Sequence, residues 1–567
     1  MDTTIVRIFA KNDQHMFRYT KFLIVSLFLS SCLTSALPVE ASGDNDRPKL
    51  VVGIVVDQMR YDYLYRYEHL YGNDGLKRLL REGFHFHNTD YPYVPTYTGP
   101  GHASIFTGTT PSIHGIIANN WYVKDDKQKM YVTQDNSVEG VGVGGKEGRM
   151  SPANMLTTTL TDEWRLFTNF RSKTIGIALK DRGAILPAGH TANAAYWYDG
   201  GSGKWITSKY YMDELPEWVV NYNAKKQPAK YMQQAWETLL PLEDYATVAT
   251  DDDVTFEMPF TGMSRSTFPY PLPVLYKKLG NSLIKNTPWG NTITFEMAIE
   301  ALHHEELGQR GVTDMLTVSF STPDYIGHQF GPRSIEIADQ YLRFDRELGD
   351  FLRVLDSTLG KEGYVLFLTA DHGAADAVGF SDSVKIPAGL EKGELFDAVE
   401  DALKKTYGRD DLIEDYRNLQ FYLNDDAIRS ADLIKDDVAK IVVNACRTFP
   451  GVLFAHTLEV YLNTEFAEGL RGKNARGIMD GRSGDVIVTL HPSYLEMTWQ
   501  IKGTTHGTGY SYDTRVPWIL YGKNVPAGET FEAVEIIDIA PTISNMLRMG
   551  NPNGNSGVSR LPLMLKH

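Results

Sequence analysis

The sequence predicts an α/β fold in which a mostly parallel central sheet is flanked by helices and interrupted by inserted segments. Residues 50–56, 314–320 and 364–369 are runs of apolar and β-branched residues, which is typical of strands buried on both faces of a parallel sheet. Residues 334–359, between the second and third runs, carry apolar side chains at helical spacing. Because a helix that joins two strands in this way makes them parallel, these segments predict a βαβ unit.

The composition is that of a chain with a large core and at least one insertion. The net charge restricts the kinds of molecule that the protein can bind. Of 567 residues, 42% are hydrophobic and 22% are charged, which is typical of a globular chain. The 56 basic and 71 acidic residues give a formal charge of −15, so we expect no nucleic-acid partner. A small anionic substrate would need positive charge supplied locally, by metal ions or by individual lysines and arginines.

The first 36 residues resemble a signal peptide, which predicts a periplasmic or secreted protein. Arg18 and Lys21 precede the apolar run 22–29, which is too short to span a bilayer. Residues 34–36 offer a small-residue cleavage site, whereas residues 29–32 resemble a lipobox that would anchor an outer-membrane lipoprotein through Cys32. We favour plain secretion, because the residues after Cys32 are still apolar, and Met16 is an alternative start. The second cysteine is Cys446, so a disulfide framework is excluded.

The rest of the chain is predicted to divide into a core in three parts and two insertions. The core comprises residues 48–182, 311–378 and 481–567. Residues 183–310 are rich in tyrosine and tryptophan and are expected to form a cap insertion. Residues 379–480 show helical patterns and are expected to form a second insertion.

Metal-type side chains follow or flank the strand-like runs in four separate places. Open α/β sheets place their sites at the carboxyl ends of the strands, so these side chains are expected to meet there. They are Asp57, Asp324 with His328, Asp371 with His372, and His506. All are carboxylates or imidazoles without a thiolate, which favours zinc in an open catalytic site and leaves manganese and cobalt as alternatives. Two such ions about 4 Å apart can clamp the attacking and leaving oxygens of an in-line displacement. Thr98, in a Thr-Gly-Pro-Gly turn, is a candidate nucleophile between them.

Each of these features also has an ordinary structural explanation. Asp324 and His328 could be a surface pair, Asp371 a turn residue before Gly373, and Thr98 part of a plain turn. His102 is better explained as a structural histidine than as a ligand. The coincidence of four such elements at strand ends, in a chain with 15 histidines, favours the metal interpretation.

Seven motifs spread over residues 50–523 resemble the alkaline phosphatase superfamily, and more narrowly its bacterial phosphate-irrepressible, PafA-type branch. They are residues 57–60, 95–104, 114–122, 179–183, 324–328, 370–373 and 505–507. The resemblance implies a monomeric periplasmic phosphatase in which Thr98 is transiently phosphorylated. It further implies two zinc ions, one held by Asp324, His328 and His506 and the other by Asp57, Asp371 and His372. Asn119, Lys180 and Arg182 match the side chains that hold the phosphoryl oxygens.

The pair Lys180 and Arg182 favours a small phosphate monoester as substrate. A monoester dianion presents charge that two fixed cations and two metals compensate, and a diester does not carry that charge. A phosphodiesterase or nucleotide pyrophosphatase of the same superfamily is the alternative. From a different class, an inactive phosphate-binding lipoprotein is disfavoured by the intact nucleophile and six ligands.

Overall fold

The computed structural model describes residues 46–498 and 500–565. The predictions for residues 1–36, including the cleavage sites, the lipid anchor at Cys32 and the start at Met16, lie outside these ranges. The strands are β1 Leu50–Val56, β2 Phe84–Asp90, β3 Asn120–Val123, β4 Gln128–Tyr131, β5 Gly140–Val141, β6 Thr174–Ala178, β7 Ala194–Asp199, β8 Lys204–Ser208, β9 Asp314–Phe320, β10 Tyr364–Thr369, β11 Gly389–Glu391, β12 Ile413–Arg417, β13 Gln420–Leu423, β14 Val452–Thr457, β15 Val486–Leu490, β16 Tyr494–Glu496, β17 Arg515–Gly522 and β18 Gly528–Glu535.

The α-helices of the described ranges lie between these strands and after them. They are α1 Tyr63–Arg66, α2 Leu76–Glu82, α3 Thr98–Thr107, α4 Pro111–His114, α5 Leu160–Phe167, α6 Asp181–Ala188, α7 Glu217–Ala224, α8 Gln227–Tyr231, α9 Leu242–Tyr245, α10 Leu272–Leu279, α11 Trp289–His304, α12 Thr322–Phe330, α13 Ile335–Leu359, α14 Val378–Ser383, α15 Glu394–Tyr407, α16 Asp425–Ser430, α17 Lys435–Thr448, α18 Leu458–Asn463, α19 Gly469–Gly477, α20 Ser511–Thr514, α21 Ile539–Met546 and α22 Leu561–Met564. Within residues 46–498 and 500–565, we find no helix with the length and apolar character that a membrane crossing requires.

A ten-stranded sheet organises the molecule, in the order β18-β2-β17-β10-β1-β9-β6-β7-β8-β5. The five central strands β10, β1, β9, β6 and β7 are parallel, and antiparallel strands join on both sides. The predicted mostly parallel α/β fold is therefore confirmed for the centre of the sheet. All seven residues of β1 are buried, as the continuous apolar run predicts for a strand covered on both faces.

The predicted βαβ unit is present as β9, α13 and β10. Ser334 caps α13 through its side chain, which accepts a hydrogen bond from the backbone N–H of Ile337 at 3.2 Å. The apolar face of α13 is buried at Leu342, Phe344 and Leu348 in the main core. Burying each such side chain stabilises the fold by about 1.5–3 kcal/mol, so the helix is held against the sheet mainly by this face.

The strand pairing departs in two places from the expected segmentation. β7 and β8 lie within 183–310, yet they continue the central sheet, because their aromatic residues form a buried strand pair. β15 lies beyond residue 480, yet it pairs with β13 and β14 in the four-stranded sheet of the second insertion. That sheet packs on α15 and α17 around a separate hydrophobic core that includes Leu395, Phe421 and Val442. The other domain boundaries stay predictions.

Candidate active site

The central parallel strands bring the predicted metal-type side chains to one edge of the sheet. Val55 of β1 is aligned with Ser319 of β9 on one side and with Thr369 of β10 on the other. The three strands therefore end together, and the residues that follow them meet. Asp57 follows β1, Asp371 and His372 follow β10, and Asp324 lies in the first turn of α12, directly after β9. All four side chains are buried.

Asp57, Asp371 and His372 form the first donor group. The Nε2 atom of His372 lies 3.4 Å from Oδ1 of Asp57 and 3.6 Å from Oδ2 of Asp371. Those three atoms are buried and have no hydrogen-bond partner. A buried polar atom without a partner is costly, and three that converge fit a bound cation.

Asp324, His328 and His506 form the second donor group. His328 follows Asp324 by one helical turn of α12, and its Nε2 lies 3.1 Å from Oδ1 of Asp324. The Nε2 of His506 lies 3.5 Å from the same oxygen. The rings of His372 and His506 stack with centroids 3.5 Å apart, so the two groups are adjacent.

Each of the three histidines is oriented by a hydrogen bond from its other ring nitrogen to a backbone carbonyl. The Nδ1–H groups donate to the carbonyl oxygens of Gly373, Thr504 and Thr96, at 2.9, 2.8 and 2.7 Å from His372, His328 and His506 respectively. This fixes the tautomer that presents Nε2 to the site, as in metal-ligating histidines generally. The histidine nitrogens and the carboxylate oxygens together suit a divalent metal ion. In two groups, Asp57-Asp371-His372 and Asp324-His372-His506, the ligand atoms all lie within 4.8 Å of one another.

The carboxylates carry more negative charge than the surrounding protein balances. Burial and the nearby Asp371 raise the pKa of Asp57 well above its usual value, and burial raises the pKa of Asp371 to about 7. Burial opposes ionisation of Asp324 as well, but His328 and Lys180 outweigh it and lower its pKa. Carboxylates this deeply buried remain charged only if cations pair with them, so the pocket has a strong electrostatic preference for cations.

Lys180 lies at the centre of the site. Its Nζ donates to Oδ2 of Asp57 at 2.6 Å and to Oδ2 of Asp324 at 2.5 Å, so it joins the two donor groups. These carboxylates outweigh the effect of burial and raise the pKa of Lys180, which keeps the ammonium charged. The same nitrogen lies 3.4 Å from Oγ1 of Thr98.

Thr98 is the first residue of α3, and its side chain is buried. Its Oγ1 lies 3.5 Å from Nη2 of Arg182, in addition to its approach to Lys180. The N–H of the next residue, Gly99, donates to Oδ1 of Asn119 at 2.8 Å, which leaves the amide nitrogen of Asn119 for another acceptor. The structure therefore brings Lys180 and Arg182 within 3.5 Å of Oγ1 of Thr98 and places Asn119 against the residue that follows Thr98.

Two residues that hold this arrangement were not predicted from the sequence. Gln58 donates through its side chain to Oδ1 of Asp324 at 2.7 Å and through its backbone N–H to Asp371 at 3.1 Å. Gln58 follows Asp57 directly and has a positive φ of 63°, a backbone conformation that is rare for this residue type. Tyr131 accepts a hydrogen bond from Nη1 of Arg182 at 2.9 Å and thereby orients the guanidinium. The local sequence carries no signal for Gln58, because both of its contacts are with residues more than 250 positions away.

His102 holds two elements of the fold together. Its Nδ1 lies 2.8 Å from the carbonyl oxygen of Thr98, and its Nε2 lies 2.7 Å from Oγ of Ser319. Both ring nitrogens are therefore engaged by protein groups, and the ring fixes the first turn of α3 against β9.

A cavity of about 380 Å³ opens beside the donors. Its wall includes Asn119, His328 and His506 and, from the second insertion, the tip of the β12–β13 hairpin around Arg417 and Asn418. Nη1 of Arg417 donates to Oδ1 of Asn120 at 2.7 Å and holds the hairpin tip against β3. The second insertion, rather than the expected cap at 183–310, therefore lines this cavity.

Comparison with known proteins agrees with the fold. A family model described as type I phosphodiesterase / nucleotide pyrophosphatase matches residues 51–510. The chain belongs to this family. The resemblance to the alkaline phosphatase superfamily, of which the family is part, is thereby confirmed.

Curated relatives match the chain over most of its length. Alkaline phosphatase PafA of Elizabethkingia meningoseptica is 41% identical, over 94% of this chain and 96% of that protein. Alkaline phosphatase PhoV of Synechococcus elongatus is 44% identical, over 90% and 92%. A Myroides odoratus protein named calcium-transporting ATPase is also 44% identical, over 94% and 97%. The crystal structure of wild-type PafA superposes with a TM-score of 0.88 at 42% identity, over 91% of this chain and 98% of that one.

Proposed function

We propose that the chain is a secreted alkaline phosphatase that hydrolyses small phosphate monoesters through a phosphothreonine at Thr98. The observation that carries this proposal is the position of two cationic side chains beside one buried hydroxyl. Lys180 and Arg182 approach Oγ1 of Thr98 at 3.4 and 3.5 Å, so a phosphoryl group bonded to that oxygen lies between them. Fixed cations at this position stabilise charge on the phosphoryl oxygens in the transition state.

The residues of the site have separate roles in the proposed reaction. Oγ1 of Thr98 attacks phosphorus as the bond to the leaving alcohol breaks, and water later releases phosphate and restores the hydroxyl. Lys180, Arg182 and the amide nitrogen of Asn119 hold the phosphoryl oxygens. Zinc at the two donor groups, when bound, supplies Lewis-acid stabilisation of the attacking and leaving oxygens. We assign Asp324, His328 and His506 to one ion and Asp57, Asp371 and His372 to the other.

A variant of a relative supports the four catalytic assignments. A second solved structure, 41% identical with a TM-score of 0.87, is of PafA with a threonine changed to serine and an asparagine, a lysine and an arginine changed to alanine. Those residues have the same types and the same order along the chain as Thr98, Asn119, Lys180 and Arg182.

The charge of the site favours monoesters over the alternatives. A phosphodiester presents one negative charge on its phosphoryl group and needs room for a second ester arm, whereas Lys180 is buried and packed between two carboxylates. ATP ends in a terminal phosphoryl group, so ATP hydrolysis fits the same site. An inactive phosphate-binding protein would have no need of a hydroxyl placed at the cationic pair. We further propose that the protein acts as a monomer in the periplasm or outside the cell.

Replacement of Thr98 tests the nucleophile. Thr98→Ala should lower kcat for a monoester at least about 10³-fold, because only metal-assisted attack by water remains. Acid-quenched reactions with a radiolabelled monoester should trap phosphoprotein in the wild type and none in Thr98→Ala. Thr98→Ser is the matched control, since it keeps the hydroxyl and should still be labelled. Labelling of Thr98→Ala, or wild-type turnover by it, would remove Thr98 from the mechanism.

A further inference from the structure

The cavity beside the two donor groups lies where the leaving group of a substrate is expected. Its volume of about 380 Å³ is within the range of small-molecule sites, about 300–1,000 Å³. His328 and His506 belong to its wall, whereas the buried Thr98 does not. In an in-line displacement the leaving oxygen lies opposite the attacking oxygen. An alcohol that leaves a phosphoryl group on Thr98 therefore extends away from Thr98 and toward this cavity.

Glu496 forms another part of this wall and carries a carboxylate with unused hydrogen-bonding capacity. Its Oε1 accepts the backbone N–H of Leu419 at 3.4 Å, and within the described part of the chain Oε2 accepts no hydrogen bond. Burial and the nearby Glu391 raise the pKa of Glu496 to about 7, so the group is ionised in alkaline solution. An ionised carboxylate only accepts hydrogen bonds, so the partners that suit it are donors such as hydroxyl groups.

The tip of the β12–β13 hairpin, which also lines the cavity, is a strained turn. Asn418 and Leu419 have φ values of 51° and 57°, the left-handed backbone conformation that both central residues of a type I′ turn adopt. This conformation is unfavourable for leucine, and strain of this kind is concentrated at functional sites. Nδ2 of Asn418 donates to the carbonyl oxygen of Asn120 at 2.8 Å. The turn therefore holds Asn418 in the wall and directs the N–H of Leu419 to Glu496.

The cations of the cavity wall are already paired with protein groups. Arg417 donates to both carboxylate oxygens of Asp415 and to Oδ1 of Asn120. The exposed Lys129 lies 4.0 Å from the same aspartate. A second anionic group on the substrate would find these cations compensated and would be repelled by Glu496. A neutral alcohol with several hydroxyl groups meets no such repulsion.

We propose that the cavity selects substrates whose leaving group is a neutral alcohol with several hydroxyl groups, such as a sugar, and that Glu496 accepts hydrogen bonds from those hydroxyls. Asn418 supplies a further acceptor, since its Oδ1 takes part in no hydrogen bond within the described residues. A site built to bind hydroxyl groups discriminates against an analogue without them, because the polar groups of the site are then left unpaired. This specificity rests on the proposed phosphatase function and names its substrate class.

Two substrates with matched leaving groups test the proposal on zinc-loaded protein at alkaline pH. Glucose 6-phosphate and cyclohexylmethyl phosphate both release a primary alcohol attached to a ring, but only the sugar ring carries hydroxyl groups. We expect the wild type to have the higher kcat/KM for glucose 6-phosphate. Glu496→Gln keeps the shape and removes the charge, so it should lower this kcat/KM about tenfold and change that for cyclohexylmethyl phosphate less than about threefold. Glu465→Gln, at an exposed carboxylate elsewhere in the second insertion, is the matched control and should leave both values unchanged.

Three results would overturn the proposal: no preference of the wild type for glucose 6-phosphate, an unchanged kcat/KM in Glu496→Gln, or an equal fall for both substrates, which indicates a structural role. If Glu496→Gln does not fold, Asn418→Gly serves instead, because glycine accepts the positive φ. It should likewise lose activity selectively toward glucose 6-phosphate. Hydrolysis of both substrates without preference would refute the specificity and leave the proposed function standing. Hydrolysis of neither would refute both.

Discussion

Removal of the two active-site cations should separate monoester from diester hydrolysis. Lys180 and Arg182 both approach Oγ1 of Thr98 within 3.5 Å, so each can contact a phosphoryl oxygen in the transition state. The loss of one such donor costs about 2.7–4 kcal/mol, or roughly 10²–10³ in rate. Because both hold the same group, their effects do not simply multiply. For Lys180→Ala with Arg182→Ala we expect kcat/KM for a monoester to fall about 10³–10⁵-fold.

The diester should lose less, because its phosphoryl group carries one negative charge where the monoester carries two. At about 4 Å and an effective dielectric constant of about 20, a pair of unit charges is worth about 4 kcal/mol. Since each 1.36 kcal/mol corresponds to a factor of ten in rate, this value sets an upper limit of about 10³-fold. We expect the double variant to lose about 10-fold to 10³-fold of its preference for an aryl monoester over the matching aryl diester. Both rates would be measured on protein whose zinc content has been determined.

Lys285→Ala is a suitable control for this experiment. The Lys285 ammonium lies 5.9 Å from the ring centroid of Tyr325, the ring that Lys180 contacts at 5.2 Å. Both rates of the control variant should stay within about threefold of the wild type, as expected for a partly buried lysine outside the cationic pair. An equal fall of monoester and diester rates in the double variant would refute the argument that this pair selects the dianion.

Three further predictions concern the metals, the backbone and the pH dependence of stability. Chelation should abolish monoester hydrolysis and zinc should restore it, and recovery with magnesium alone would contradict the assignment of zinc. Gly101→Ala should inactivate the enzyme, because its Cβ would lie 2.3 Å from the carbonyl oxygen of Asp371, whereas Gly144→Ala meets nothing within 4 Å and should retain wild-type kcat. Burial raises the pKa of Asp513 from 3.8 to about 7, so the native state holds that proton more tightly than the unfolded state. Its contribution to stability is present at acidic pH and is lost as pH rises from about 4 to 7, by up to about 4 kcal/mol. Asp513→Asn should flatten this part of the denaturant-unfolding profile at constant zinc, and an unchanged slope would exclude Asp513 as its source.

The strand ends of the site could be predicted because their signal is local. A buried parallel strand needs a continuous apolar run, and the residues after the run lie at the carboxyl edge of the sheet. The positions of Asp57 and Asp371 at this edge can therefore be predicted from the sequence alone. Local patterns do not specify which strands are neighbours. β17 inserts antiparallel between β10 and β2, which depends on tertiary packing.

The features that sequence reasoning missed depend on distant contacts. From the sequence, Tyr196 and Trp197 are assigned to an aromatic-rich cap, because aromatic side chains do not distinguish a strand of the central sheet from an inserted segment. Gln58 has no metal-type side chain, and its role is visible only once Asp324 is beside it. Arg417 reaches the site from a hairpin almost 300 residues away from Asn120.

The position of β17 has a consequence for how the chain is made. β17 ends at Gly522 and separates β2 from β10, so the ribosome must release nearly the whole polypeptide before the sheet can close. His506 is likewise synthesised late, and the second donor group is incomplete without it. Strands that are so distant in sequence pair slowly, because the chain loses the entropy of a long loop before the contacts between the strands stabilise the pair. A chain truncated before His506 thus lacks one member of the second donor group, and the complete set can assemble only after most of the polypeptide has been made.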